Sequence, residues 1–289
     1  MEFLSPATWE EALAAKSARP DAVPIMGGTD VMVELNFDRR RPAALLDLTR
    51  VPELREWAPD GDRLRLGAGV PYAVIVDRLA DRAPALALAS RAVASPQIRN
   101  RGSVGGNLGG ASPAGDAHPP LLATDAVVEL ASVRGVRRVP AREFYLGPRR
   151  TARSDDELIA AVLLPAPAGP QQFAKIGTRN AMVIAVASFA LALDAGRRSA
   201  GTGIGSAGPT PLRAPEAEEF LAAEFDWAGG RPPSPAVAQE FGALVAAAAR
   251  PIDDVRGSAA YRRHALSVLA RRTLGWAAAD YRREMAACG

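Results

Sequence analysis

The chain has 289 residues, 48% of them hydrophobic, enough to bury a sizeable core and more in keeping with two domains than one. Its net charge of +3 comes with arginines scattered in pairs such as Arg137-Arg138 and Arg271-Arg272, not in one basic stripe with interleaved aromatics, which argues against nucleic acid as a partner. A single cysteine (Cys288) and two histidines (His118, His264) exclude disulfides, cysteine-ligated iron–sulfur clusters and a structural zinc site, and no apolar run nears the roughly 18 residues of a membrane span, so a soluble, cytoplasmic protein without metal or membrane insertion is expected.

In chain order, Thr8 to Ala18 reads as a helix opened by a Thr8/Glu11 capping box, with Trp9, Leu13 and the alanines on one face. Ala22 to Gly28 is a short apolar strand running into a Gly27-Gly28 turn, and Thr29 or Asp30 can cap a short helix over Val31 to Phe37. ALLDL (44–48) reads as a strand, and Asp60-Gly61 as a hairpin turn before RLRLGAGV (63–70). Helices are expected at Pro71–Leu79 and Pro84–Ala94, with a helical turn at His118–Ala123. DAVVELAS (125–132) and VRGVRRVP (133–140) read as a hairpin, and ELIAAVLLP (157–165) as a strand ended by Pro165. This is an α+β pattern, unlike a regular βαβ series.

PAPAGP (165–170) is the best linker in the chain, giving domains at 1–168 and 169–289, the first with subdomains of about 1–52 and 53–168. Beyond it come an extended segment, a turn and an apolar run over 171–194, then a glycine-rich strand pair, TGIGSAGPTPLR (202–213). Three helices close the chain, at 215–224, 235–249 and about 259–285, the last with Leu266, Leu269, Ala270, Leu274 and Trp276 read as core.

The chemistry concentrates between Ser95 and Asp125, where Gly102, Gly105, Gly106, Gly109 and Gly110 fall within nine residues. Such a cluster arises where φ must be positive or where another group must approach closer than a Cβ allows; bare main-chain N–H groups in that setting hold an anion. A flexible surface loop is the plain alternative. The upstream strand, Gly27-Gly28 turn and helix start form a second arrangement of the same kind, matching neither the dinucleotide fingerprint nor the Walker loop. Lys16 and Lys175 are the only lysines.

GGTDVMVEL (27–35), QIRNRGSVGGNLGGASPAGDAHPPLLATDA (97–126), DELIAAVLLP (156–165) and FAKIGTRNAMVIAVAS (173–188) occur in one order and, together, resemble the FAD-binding medium subunit of molybdenum hydroxylases, the xanthine and carbon monoxide dehydrogenase group. The resemblance spans nearly the whole chain. It implies the FAD-binding fold shared with vanillyl-alcohol oxidase and p-cresol methylhydroxylase, two α+β subdomains, followed by a C-terminal α+β domain of a small sheet with helices.

It also implies that FAD is bound non-covalently, its pyrophosphate held by main-chain N–H groups of Met26, Gly27, Gly28, Thr29, Asp30 and Val31 and of Ser103, Gly105, Gly106 and Asn107. Asn107 suits a left-handed exit from Gly106. Gly109, Gly110, Gly115 and Asp116 match positions near the ribityl and adenosine portion, with Asp116 an acceptor for a sugar hydroxyl or, alternatively, a turn or cap residue. Val93 and Ala94 match positions on the adenine side. Lys175 matches a lysine that reaches the flavin; a solvated strand lysine is the alternative. Val183 stands where many relatives carry an acid, and Ile184 where some carry an aromatic. No catalytic residue is expected in this chain: the resemblance places molybdopterin on a large partner subunit and two [2Fe–2S] clusters on a small one. Electrons then pass through FAD here to NAD+ or another acceptor. The motif forms favour a xanthine dehydrogenase, with a carbon monoxide dehydrogenase-like subunit or a stand-alone flavoprotein oxidase or reductase as the alternatives.

Overall fold

Three short strands open the fold of the computed structural model, which describes residues 1–288. β1 (Glu2–Leu4), β2 (Val23–Ile25) and β3 (Ala44–Asp47) pair in parallel in the order β1-β3-β2, with α1 (Trp9–Ala18) and α2 (Val31–Asn36) in the connections. The capping box forms as expected: the Thr8 hydroxyl accepts the Glu11 N–H and the Glu11 carboxylate accepts the Thr8 N–H. The buried face of α1 is the expected one, with Trp9, Ala12, Leu13 and Ala15 against the core, and Lys16 shares it. Ala12 and Lys16 are its fully buried residues, and the Lys16 ammonium is satisfied by the carbonyls of Pro20 (2.8 Å) and Ala22 (2.7 Å). Burial lowers its pKa to about 8.

β4 (Trp57–Asp60) and β5 (Arg63–Gly67) form the Asp60-Gly61 hairpin, and five helices follow before the sheet resumes: α3 (Tyr72–Arg78), α4 (Pro84–Ala92), α5 (Pro96–Arg99), α6 (Val104–Gly110) and α7 (His118–Ala123). β6 (Val127–Ser132) and β7 (Gly135–Pro140) make the second hairpin; α8 (Ala141–Phe144) and the small pair β8 (Tyr145–Gly147) and β9 (Arg150–Thr151) lead to β10 (Leu158–Pro165). The five-stranded sheet is antiparallel, in the order β4-β5-β10-β6-β7. β10 is central and buried on both faces, which explains why it reads as an unbroken apolar run.

After Pro165, β11 (Gln171–Ile176), β12 (Ala187–Asp194) and β13 (Ser199–Gly205) form an antiparallel sheet, and α9 (Pro215–Glu224), α10 (Pro235–Ala248) and α11 (Ala259–Cys288) complete the chain. The apolar run of β12 alternates by size. Phe189, Leu191 and Leu193 pack against the closing helices, while Ala190 and Ala192 face α4 and α7 with Ala89, Ala123 and Phe173. The glycines of β13 complete that second face: a Cβ at Gly201 or Gly203 would lie 2.0 Å from the carbonyl oxygen of Ala123 or Pro119. Small residues thus let α7 rest almost on the sheet backbone.

Three expectations need correction. The helix from Pro84 ends at Ala92, because Val93 is already extended (ψ 118°) and Ala94 then turns to φ +32°. The strand pair expected over 202–213 is β13 plus a single bridge, Ile204 to Leu212. Trp276 is 46% exposed: α11 buries Leu266, Leu269, Ala270 and Leu274, and Trp276, two positions past Leu274, lies off that stripe.

Candidate functional site

The first glycine turn follows β2 and lies directly against the segment that leads into α6. A Cβ at Gly27 would sit 2.0 Å from the Arg101 carbonyl oxygen, so Gly27 is needed for backbone-to-backbone contact, while Gly28 holds φ +75°. Among the described residues, no backbone hydrogen bond outside the regular elements is donated by residues 26–31; the next donor along the chain is Met32, to Gly28. Asp30 precedes α2, but in helical conformation and without a side-chain cap, so neither Thr29 nor Asp30 closes that helix end. The result is a run of open donors at Met26, Gly27, Gly28, Thr29, Asp30 and Val31.

The second glycine stretch is a helix, not a loop of bare N–H groups. Ser103 caps α6, its Oγ accepting the Gly106 N–H at 3.1 Å; the Gly105 N–H donates to Ala68 O and the Asn107 N–H to Ser103 O, both at 3.0 Å. Three of the four donors assigned to a pyrophosphate are therefore engaged within the protein. Asn107 is helical too, and its Oδ1 accepts the Ala117 N–H at 3.3 Å; the left-handed residue is Ala111, at φ +42°.

The glycines of α6 divide by what surrounds them. Gly105 is buried, and a Cβ there would lie 2.5 Å from Ala68 Cβ and 2.6 Å from its carbonyl oxygen. Gly106 and Gly109 are exposed, and the nearest atoms to an added Cβ are Ser103 Oγ at 3.4 Å and Ile159 Cδ1 at 3.8 Å. At Gly110 the nearest atom is Asp30 Oδ2, at 3.4 Å. The i, i+3, i+4 spacing puts 106, 109 and 110 on one side of α6, and the contact at Asp30 places the first turn beside it. No packing within the protein demands glycine on that side.

Beyond α6, Gly115 is wedged where a Cβ would lie 2.3 Å from His118 Nε2 and 2.7 Å from Asn107 Oδ1. Asp116 and Lys175, read separately in the sequence, form an ion pair of 2.7 Å with both side chains 11% exposed; Lys175 also donates to Val183 O at 3.2 Å. Lys175 is thus neither solvated nor an isolated cation. Burial raises the Asp116 pKa to about 6 against the opposing pull of Lys175. Its Oδ1 is buried without a partner, as is the Tyr72 hydroxyl, whose pKa is raised by burial and then by the charges of Asp116 and Asp30. Buried polar atoms left open in a folded protein mark the place of a water or a ligand.

His118 is fully buried, shares a 2.8 Å hydrogen bond with the Tyr145 hydroxyl, and has its pKa lowered to about 3 by burial, leaving a neutral imidazole in place for packing. Val93 and Ala94 sit at the turn between α4 and α5, where both carbonyls accept from the Arg99 guanidinium (2.9 and 3.1 Å). The open donors, the bare side of α6 and the unpaired oxygens together fit an extended ligand with a diphosphate and hydroxyl groups. Tyr72 escapes sequence reading because it stands in no motif, and Arg99, though inside the 97–126 segment, because its acceptors are set only by the turn after α4.

Residues 1–167 match the family described as the FAD binding domain in molybdopterin dehydrogenase, and residues 172–277 match the CO dehydrogenase flavoprotein C-terminal domain. The chain belongs to the FAD-binding medium subunits of the molybdenum hydroxylases. It is 32% identical over 281 residues to the nicotine 6-hydroxylase medium subunit of Paenarthrobacter nicotinovorans, covering 95% of this chain and 96% of the relative. It is 34% identical over 227 residues to the xanthine dehydrogenase FAD-binding subunit of Escherichia coli O157:H7, covering 74% and 76%. Among solved structures, reconstituted CO dehydrogenase from Oligotropha carboxidovorans superposes with a TM-score of 0.88 at 28% identity, over 97% of this chain and 98% of that one. This FAD-binding subunit is accordingly an α+β oxidoreductase component of a multi-subunit enzyme. Among the described residues no cluster of His, Cys, Asp and Glu could hold a metal, and no helix is long and apolar enough to cross a membrane.

Proposed function

We propose that this chain is the electron relay of a cytoplasmic xanthine dehydrogenase, receiving electrons from [2Fe–2S] clusters on a small partner subunit while a molybdopterin-bearing large subunit oxidises the purine. FAD, when bound, supplies the exchange between single-electron and paired-electron transfer, with NAD+ as the proposed acceptor. The observation that carries the reading is the run of open N–H donors at residues 26–31 set beside the bare side of α6. Those donors hold the diphosphate, and Gly106, Gly109 and Gly110 let it approach the helix backbone. Ser103, Gly105 and Asn107 act by shaping α6 and its contacts with Ala68 and Ala117.

Asp116 Oδ1 is the acceptor for a cofactor hydroxyl, and the paired Lys175 favours the carboxylate form. Val93 and Ala94 border the adenine. The sealed His118 ring supports non-covalent attachment. The domain boundary is placed at 168/169. The xanthine assignment rests on the GGTDVMVEL and GTRNAMVIAV segments; the nicotine and xanthine relatives stand at near-equal identity, 32% and 34%.

The test is purification of the chain alone and with its two partner subunits. Alone, it should carry a flavin band near about 450 nm through gel filtration and oxidise no purine; assembled, it should reduce NAD+ with xanthine. A colourless chain refutes the FAD reading, purine turnover by the chain alone refutes the relay, and an assembled complex inert toward xanthine refutes the substrate.

A further inference from the structure

Arg262, in the first turns of α11, is 4% exposed and belongs to no glycine motif. Its guanidinium joins three separate segments. Nη1 donates to Val186 O (2.8 Å) and Ser206 O (2.7 Å), and Nη2 pairs with Asp254 Oδ1 (2.5 Å). Each of the first two leads toward the site. Val186 ends the 177–186 loop, whose Val183 carbonyl is held by Lys175. Ser206, at φ +60°, donates its own N–H to Pro113 O (2.9 Å) in the turn that carries Asp116. Arg262 is therefore linked to each half of the Asp116–Lys175 pair through one intermediate: the 177–186 loop, which Lys175 holds at Val183, and Ser206, which holds the Asp116 turn at Pro113.

The loop itself is clasped by its carbonyls. Arg179 donates to Ala181 O and Met182 O, Lys175 to Val183 O and Arg262 to Val186 O. With its polar groups turned onto cations, the loop leaves Met182 and Ile184 exposed at 56% and 52%, and Met182 is held at φ +52°. A non-glycine residue in that conformation persists only where its surroundings over-determine it. A lysine could not replace Arg262, because a single ammonium cannot reach two carbonyls and a carboxylate spread across a planar fork.

We propose that Arg262 is a positioning residue of the cofactor site: from the C-terminal helix it sets the 177–186 loop and the Asp116 turn relative to each other, so that the loop's apolar tip shields the flavin. This rests on the FAD reading above, but part of its test does not. Two measurements on the purified protein compare Arg262→Gln and Arg262→Lys with Arg263→Gln, the exposed neighbour. Limited trypsinolysis, read by mass as cleavage after Arg179, reports on the loop with or without flavin. Cleavage should accelerate roughly tenfold or more in both Arg262 variants, the scale on which losing a charged hydrogen bond shifts a local opening. Iodide quenching of flavin fluorescence in the holoprotein reports on shielding and should rise severalfold in the same variants and not in Arg263→Gln.

Thermal unfolding is recorded alongside. Lower thermal stability with unchanged cleavage and unchanged quenching makes Arg262 a structural stitch and overturns the proposal. Faster cleavage with unchanged quenching also overturns it, because the loop then shields nothing. If Arg262→Gln proves insoluble, Arg262→Lys carries the same two readouts, and each outcome bears on the proposal in the same way. If no variant and no wild-type chain retains flavin, it is the FAD reading that has failed, and the cleavage arm still decides whether Arg262 holds the loop.

Discussion

Gly106→Ala separates a glycine kept for a ligand from one kept for packing. Gly106 lies inside α6, exposed, with Ser103 Oγ at 3.4 Å the nearest atom to an added Cβ. Alanine is favoured over glycine in a helix by about 1 kcal/mol, so the flavin-free protein should become more stable by about that amount, raising its melting temperature by roughly 2–4 °C. The same methyl stands on the side of α6 that borders the first turn, where a diphosphate must approach. FAD affinity should fall at least about tenfold, equivalent to ~1.4 kcal/mol.

Gly105→Ala, one position earlier, should do the opposite to the fold. Its Cβ would meet Ala68 Cβ at 2.5 Å and Ala68 O at 2.6 Å, atoms of a strand exit that cannot swing away. Overpacking of that kind costs about 1–3 kcal/mol or more, so the variant should be destabilised with or without flavin. Chemical denaturation of the flavin-free proteins and equilibrium dialysis against FAD supply the two numbers. Unchanged FAD affinity in Gly106→Ala, or lower stability of its flavin-free form, would refute the division of the glycines by function.

Three further outcomes follow from the buried polar groups and the first helix. His118, with its pKa lowered to about 3, takes up no proton in the folded state while the unfolded chain does so below about 6.5; stability should therefore decline as pH falls from about 6.5 toward 3, by ~1.4 kcal/mol per unit, and His118→Gln should flatten that limb in denaturation midpoints. Asp116 works in the opposite sense: its raised pKa, about 6, means that its contribution to stability weakens as pH rises from about 4 to 6. Lys175→Met removes what holds that carboxylate charged, so it should cost about 3–5 kcal/mol at pH 8 and much less at pH 5, while FAD is kept and its reduction potential changes; a loss that does not depend on pH would refute a role for Lys175 in holding Asp116 charged. Thr8→Ala should cost about 1 kcal/mol by opening the capping box, read as a lower denaturation midpoint with flavin content unchanged.

Local physics made much of this protein legible before any coordinates. The capping box at Thr8 and Glu11, the Asp60-Gly61 hairpin and the unbroken apolar β10 are written in local sequence, and each forms where the sequence says. The glycine count, however, carries no information on purpose. Gly27, Gly105 and Gly106 look alike as letters, yet two are pressed against carbonyls from distant segments and the third meets nothing closer than Ser103 Oγ at 3.4 Å.

The same limit hides the charged partners. Asp116 and Lys175 are 59 positions apart, and Arg262 is 76 from the Val186 carbonyl it holds. A sequence fixes what a side chain can donate or accept and which local turn its backbone prefers. Which donors stay free for a ligand is decided only when the fold has spent the others on itself, as α6 spends three of its N–H groups and the 26–31 turn spends none.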